Sequence, residues 1–176
     1  MNKPAGIVCA TEDPAQKTVI DILEEPYRHM KLFPAGRLDK DTVGLLLLTN
    51  DGEFAHSMLS PQKHVYKTYY AKVSGAVTEE DVWKFKEGLI ISGEYKTMPA
   101  RLDMIRSGNI SEVKVMIREG KFHQVKRMFE SVNKKVLYLK RIQIGSYLLD
   151  EDLPEGQSRE IDKMQASKML ENPPIN

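Results

Sequence analysis

One segment limits the fold of this chain more than any other: Gly36-Arg37-Leu38-Asp39-Lys40-Asp41-Thr42-Val43-Gly44-Leu45-Leu46-Leu47-Leu48-Thr49-Asn50-Asp51-Gly52. Residues 44 to 49 are apolar without alternation, the pattern of a strand buried on both faces. Such a strand needs a sheet with other elements covering each side. Asn50-Asp51-Gly52-Glu53 then forms an N-cap signal, predicting a helix through Leu59 that Ser60-Pro61 ends. Upstream, the polar loop puts Asp39 just before the strand. A carboxylate at the mouth of a core strand has a rigid support, which nucleophilic or acid–base chemistry requires. The same position suits a turn residue that caps backbone N–H groups, and the loop alone does not choose between these readings.

The flanking sequence interleaves helices and strands. Lys17 to Leu23 is predicted as a short helix with Val19, Ile20 and Leu23 on one side. Val65 to Ser74 is rich in valine and tyrosine and predicts a strand closed by Gly75. Thr78-Glu79-Glu80-Asp81 resembles a capping box with Asp in place of Glu, opening a helix that Gly88 stops. Arg101–Ile105 and Val113–Ile117 flank Ser107-Gly108-Asn109 as a hairpin. Phe122 to Val132 has helical spacing, Lys135 to Ile144 returns as a strand, and a polar tail from Asp150 ends in a frayed helix before Pro173-Pro174. The fold class expected is α+β, a mixed sheet with flanking helices. No internal repeat or linker interrupts the chain, so residues 1–160 are expected as one domain followed by a tail of residues 161–176.

Composition excludes several functions. In 176 residues no apolar stretch approaches the roughly 18 needed for a membrane span. The N-terminus lacks the form of a signal peptide. A single cysteine, Cys9, rules out an internal disulfide or a multi-cysteine zinc site, and the four histidines are scattered. The expectation is a cytoplasmic protein without a metal or organic cofactor, not associated with membrane, and monomeric by default. Net charge is only +1, yet Arg118 to Arg141 holds eight lysines and arginines against two acids. Such a segment is either an anion-binding surface or a solvated helix face.

Two further segments carry candidate chemistry. In Arg118-Glu119-Gly120-Lys121-Phe122-His123-Gln124-Val125-Lys126-Arg127-Met128, a glycine punctuates a strand end before a helix that presents cations. A phosphate is attracted to such a helix start. In Tyr66-Lys67-Thr68-Tyr69-Tyr70, alternation puts Tyr66, Thr68 and Tyr70 on one face and Lys67 and Tyr69 on the other. These rings are either core packing or surfaces on which an unstacked base rests.

Together with Asn2-Lys3-Pro4-Ala5-Gly6, and in the same order, these blocks resemble the RsuA-type pseudouridine synthases over about residues 2 to 160. The resemblance implies a central mixed, largely antiparallel sheet with flanking helices and a catalytic cleft. It implies conversion of a specific uridine to pseudouridine in ribosomal RNA or a ribosome assembly intermediate. The small-subunit branch is expected from residues 123 to 129, with the large-subunit branch as alternative. Asp39 matches the family's essential aspartate, Tyr69 its active-site tyrosine, and Lys126 the basic residue paired with the aspartate. Arg37 is expected to hold the displaced nucleotide, and Lys121, His123, Gln124 and Arg127 to contact RNA. Members usually carry an N-terminal S4 RNA-binding domain before the Lys-Pro block, and that domain is expected to be absent here. Two rival readings are a glycoside or nucleoside hydrolase using Asp39 with a second carboxylate such as Asp41, and a non-catalytic RNA-binding module or assembly factor.

Overall fold

The computed structural model describes residues 1–174, so the last two residues of the expected tail lie outside it. In chain order the elements are β1 (Asn2–Lys3), β2 (Phe33–Ala35), β3 (Val43–Leu45), β4 (Leu47–Thr49), α1 (Gly52–Leu59), β5 (Lys67–Ser74) and α2 (Glu79–Glu87). They continue with β6 (Ile90–Ile91), β7 (Tyr95–Lys96), β8 (Arg101–Arg106), β9 (Ile110–Ile117), α3 (Gln124–Glu130), β10 (Val136–Ile144), β11 (Tyr147–Leu148) and α4 (Lys163–Ser167). The chain groups into two compact units, Met1–Val65 with Arg141–Asn176, and Tyr66–Lys140.

In the first unit the tetraleucine run departs from the single strand that its composition predicts. It breaks at Leu46 into β3, which pairs with β1, and β4, which pairs with β2. The unbroken apolar pattern therefore serves two ladders rather than two faces of one. Leu46 is fully buried at the break, and its N–H donates to the Met1 carbonyl at 2.9 Å. Downstream, Asp51 caps α1 by accepting from the Phe54 N–H. Ala35, Leu45, Leu47, Ala55, Met58, Ile144 and Met169 make the core of this unit. At roughly 25 cal/mol per Å² of apolar surface, burying such side chains is the main force holding the short strands together.

The helix expected at Lys17 to Leu23 does not form. Val8 forms a bridge with Thr18, and Val8 exchanges backbone bonds with Lys17 and Val19. Thr18 Oγ1 accepts from the Ile20 and Asp21 N–H groups while Asp21 Oδ2 accepts from the Thr18 N–H. With the backbone satisfied by side chains in this way, a turn replaces the helix. Val19 and Leu23 are nonetheless buried, as their spacing suggests.

The second unit follows the sequence pattern closely. Strand β5 pairs antiparallel with β9 along its whole length, and β9 with β8, where a bulge shifts the register between Met104 and Arg106. Its strands run in the order β10-β5-β9-β8. The Thr78 capping box with Asp81 opens α2, which stops at Gly88. Phe85 of α2 and Phe129 of α3, both fully buried, pack with ring centroids 5.0 Å apart. Among the described residues, no helix is long and apolar enough to cross a membrane.

Candidate active-site residues

In the first unit the loop 36–42 leaves β2 and enters β3, so a ladder anchors each end. Two buried cations hold its backbone. Lys3, fully buried, donates from Nζ to the carbonyls of Pro4 (3.0 Å), Asp39 (3.2 Å), Lys40 (3.2 Å) and Thr42 (2.9 Å). The Asp39 carbonyl also accepts from the Thr42 N–H, and the Lys40 carbonyl from the Gly6 N–H. Burial pushes the Lys3 pKa down, against the opposing influence of Cys9, Asp41, Asp39 and Glu155. At the other end Arg141, with 2% exposure, donates from Nε to Leu45 O (2.8 Å) and from Nη2 to Gly36 O (2.6 Å).

Gly36 is required beside that guanidinium. Its φ is +75°, and an added Cβ would sit 3.3 Å from Leu59 Cδ2 and 3.6 Å from Arg141 Nη1. Under the loop, the Leu38 N–H donates to Cys9 Sγ at 3.3 Å. Burial pushes the Cys9 thiol pKa up, while that N–H, Lys3, Arg141 and Arg37 act the other way. Leu38 and Thr42 are buried, Asp39 is half-buried and Arg37 is exposed. The loop thus buries its apolar and backbone groups and presents Arg37 and Asp39 from a fixed main chain. Neither Lys3 nor Arg141 stands out by residue type or spacing. Lys3 belongs to the Asn2-to-Gly6 block, and Arg141 reads in sequence as one more surface cation.

In the second unit Tyr69 lies in β5 opposite Val115, with 9% exposure. Tyr66 is buried too, with the Arg118 guanidinium 5.4 Å from its ring centroid. Tyr70 faces the other way and donates to Glu112 at 2.6 Å, and burial with that bond pushes its pKa up to about 12. Lys126 and Arg127 are half-buried on α3, and Lys121 is exposed before it. His123 enters the helix in the left-handed region, φ +51°. Gln124 is buried with its amide engaged inside the loop: Oε1 accepts from the Lys121 N–H (2.9 Å), and Nε2 donates to Glu119 Oε1 (2.7 Å). Its role in this geometry is to fasten the turn.

The basic segment is not one surface. Lys134 forms an ion pair with Asp81 at 2.8 Å, Arg118 lies over Tyr66, and Arg141 is buried in the other unit. Lys121, Lys126 and Arg127 remain clustered at and on α3. Among the described residues no group of three or more His, Cys, Asp or Glu side chains could hold a metal ion.

A family profile described as RNA pseudouridylate synthase matches residues 1–131. The chain belongs to that family. It is an RNA pseudouridine synthase, and thus an isomerase. It is 48% identical over 163 residues to the Bacillus subtilis (strain 168) protein named uncharacterized RNA pseudouridine synthase YtzG, covering 92% of this chain and 68% of that protein. It is 43% identical over 160 residues to ribosomal small subunit pseudouridine synthase A of Yersinia pestis, covering 90% and 66%. The synthase therefore spans about two thirds of the length of these relatives. A crystal structure of a pseudouridylate synthase matches with a TM-score of 0.89 at 39% identity, over 96% of this chain and 71% of that one. The mixed sheet with flanking helices is the fold of that enzyme.

Proposed function

We propose that the synthase converts a specific uridine of small-subunit ribosomal RNA to pseudouridine, with Asp39 as the catalytic carboxylate. The observation that carries this reading is the support of Asp39. Its carbonyl accepts from both Lys3 Nζ and the Thr42 N–H, in a loop anchored at each end, while its side chain stays partly open to solvent. A reacting carboxylate needs this kind of fixed main chain, because small errors of placement are costly in rate. The target RNA class rests on relatives such as the small-subunit enzyme of Yersinia pestis.

The reaction breaks the N1–C1′ bond, turns the uracil, joins C5 to C1′ and releases the C5 proton. The target leaves its stack first, because chemistry on a base is blocked inside a duplex. Two routes fit a carboxylate at this point. Asp39 adds to C1′, as in a retaining glycosidase, or it removes the 2′ proton to give a glycal. In this reading Lys126 is the basic residue of the reaction, Tyr69 supports the base, and Arg37, Lys121, His123 and Arg127 contact RNA, chiefly its phosphates. Gln124 contributes through the loop it fastens. The setting is the cytoplasm, where Cys9 stays a free thiol.

The test follows tritium release from small-subunit ribosomal RNA, or an assembly intermediate, labelled at uridine C5. The expected result is release by the wild type and none by Asp39→Asn, whose circular dichroism matches the wild type. Activity retained in the folded variant would refute the role of Asp39. Release from large-subunit RNA alone would move the target to that subunit.

A further inference from the structure

Phe122 lies at the cation-bearing start of α3, and the catalytic reading gives it no task. It is 74% exposed, more than any other large apolar side chain among the described residues. A singly exposed ring is ordinary on a protein surface; what sets this one apart is how it is held and what flanks it. The ring is not loose. It stacks on the His123 imidazole with centroids 3.7 Å apart and planes 19° from parallel, so one face is covered and the outer face is left to solvent.

The backbone beneath this pair is held from several sides. Arg127 Nη1 donates to Phe122 O at 3.0 Å, and the Gln124 N–H donates to Lys121 O at 3.0 Å. Gln124 returns to the Lys121 N–H and to Glu119, and Glu119 also accepts from the Met98 N–H and the Tyr95 hydroxyl. The Tyr95 hydroxyl is pushed up to about 12 by that bond, and Lys121 Nζ lies 4.9 Å from the centre of its ring. A left-handed residue at position 123, fixed by this network, sets the two rings in advance of any ligand.

We propose that the Phe122–His123 stack is a platform for one unpaired base of the RNA, with Lys121 and Arg127 placed for its flanking phosphates. The proposal rests on the chain's action on RNA and adds a contact that reads neither the target uridine nor the reaction. Charge selects the occupant. A flat aromatic face between cations matches a base and its phosphates, since every base offers a π-face to stack on. An apolar side chain from a protein partner would call for a pocket rather than an open ring flanked by charge.

Anisotropy of a fluorescein-labelled single-stranded oligoadenylate, titrated with the whole chain at several salt concentrations, tests this. Phe122→Ala is expected to weaken binding by about 5- to 150-fold at every salt concentration, the range that loss of one base–aromatic stack implies. The slope of log Kd against log salt should stay unchanged, whereas Lys121→Ala should lower it by about one. Phe122→Trp should bind at least as well as wild type, and Phe122→Leu should behave like Phe122→Ala. Binding of a blunt RNA duplex should not respond to Phe122→Ala. Leucine binding like phenylalanine, equal losses on duplex and single strand, or no binding of oligoadenylate by wild type would each overturn the platform. Phe122-dependent binding without tritium release from either ribosomal RNA would instead refute the proposed target and leave the platform standing.

Discussion

Lys3→Met separates the charge of the buried lysine from its volume. Methionine keeps an unbranched apolar stem of similar length, so no large cavity opens, and only the ammonium is lost. Of the four carbonyls that Nζ serves, Asp39 O keeps the Thr42 N–H and Lys40 O keeps the Gly6 N–H. Pro4 O and Thr42 O lose the ammonium as donor. A buried carbonyl deprived of its partner costs about 1–3 kcal/mol, giving about 2–6 kcal/mol for two. Against this, the variant no longer carries the cost of a buried charge, which is several kcal/mol for an ion without a carboxylate partner. Because four carbonyls already offset most of that ion's cost in the wild type, the carbonyl term dominates, and a net loss of about 2–4 kcal/mol is expected. At about 2–4 °C per kcal/mol for a chain of this size, the unfolding midpoint should fall by about 5–15 °C. Loosening of the 39–42 backbone should lower turnover by about 10- to 100-fold, the scale expected when a reacting group shifts by an ångström. RNA affinity, to which this loop contributes only Arg37, should change much less than turnover. Thermal melts, single-turnover tritium release and filter binding measure the three quantities. An unchanged midpoint would refute the carbonyl accounting. A lowered midpoint with wild-type turnover would show that Asp39 does not depend on this clamp.

Arg141→Lys should destabilise by about 1–3 kcal/mol despite keeping the charge, because a point ammonium does not reproduce a planar fork that reaches Leu45 O and Gly36 O together; urea melts measure it. Burial would raise the Asp81 pKa, but the Lys134 ammonium and the Thr78 N–H and hydroxyl lower it overall. Its contribution to stability is therefore complete above its ordinary value of 3.8 and is lost as pH falls through the lowered folded value. Asp81→Ala should cost about 2–4 kcal/mol at neutral pH through the lost cap and the stranded Lys134, with the gap to wild type closing in acid, as urea melts across pH would record. Gly145→Ala would place a Cβ 2.5, 2.6 and 2.7 Å from the carbonyls of Met169, Lys168 and Glu171, at φ +56°. It should destabilise by about 2–4 kcal/mol and expose the turn at 168–171 to protease, read by the rate of C-terminal nicking.

Local signals survived folding wherever the interacting groups are close in sequence. Asp51 caps α1, Thr78 and Asp81 form their box, and the β8–β9 hairpin turns at 107–109 as its residues suggest. The block from Gly36 to Gly52 likewise placed Asp39 on a loop before a buried strand from sequence alone. Periodicity failed where one pattern admits two structures. Val19 and Leu23 are buried at helical spacing, yet Thr18, Asp21 and the bridge to Val8 satisfy the backbone as a turn. Four leucines promise burial but do not say how many strands supply it.

Charge was the least legible feature. In sequence Lys121, Lys134 and Arg141 are equivalent cations, and in the structure they lie over a tyrosine ring, against Asp81 and beneath Gly36. Residue types and spacings on their own determined the family, the capped helices, the hairpin and the loop that carries Asp39, because each depends on contacts within a few residues. Only the tertiary structure decided that Lys3 and Arg141 hold that loop, since their acceptors lie 36 to 39 and 96 to 105 residues away, apart from Pro4. A buried cation is defined by the carbonyls that converge on it, and nothing in a linear sequence records where backbone oxygens will meet.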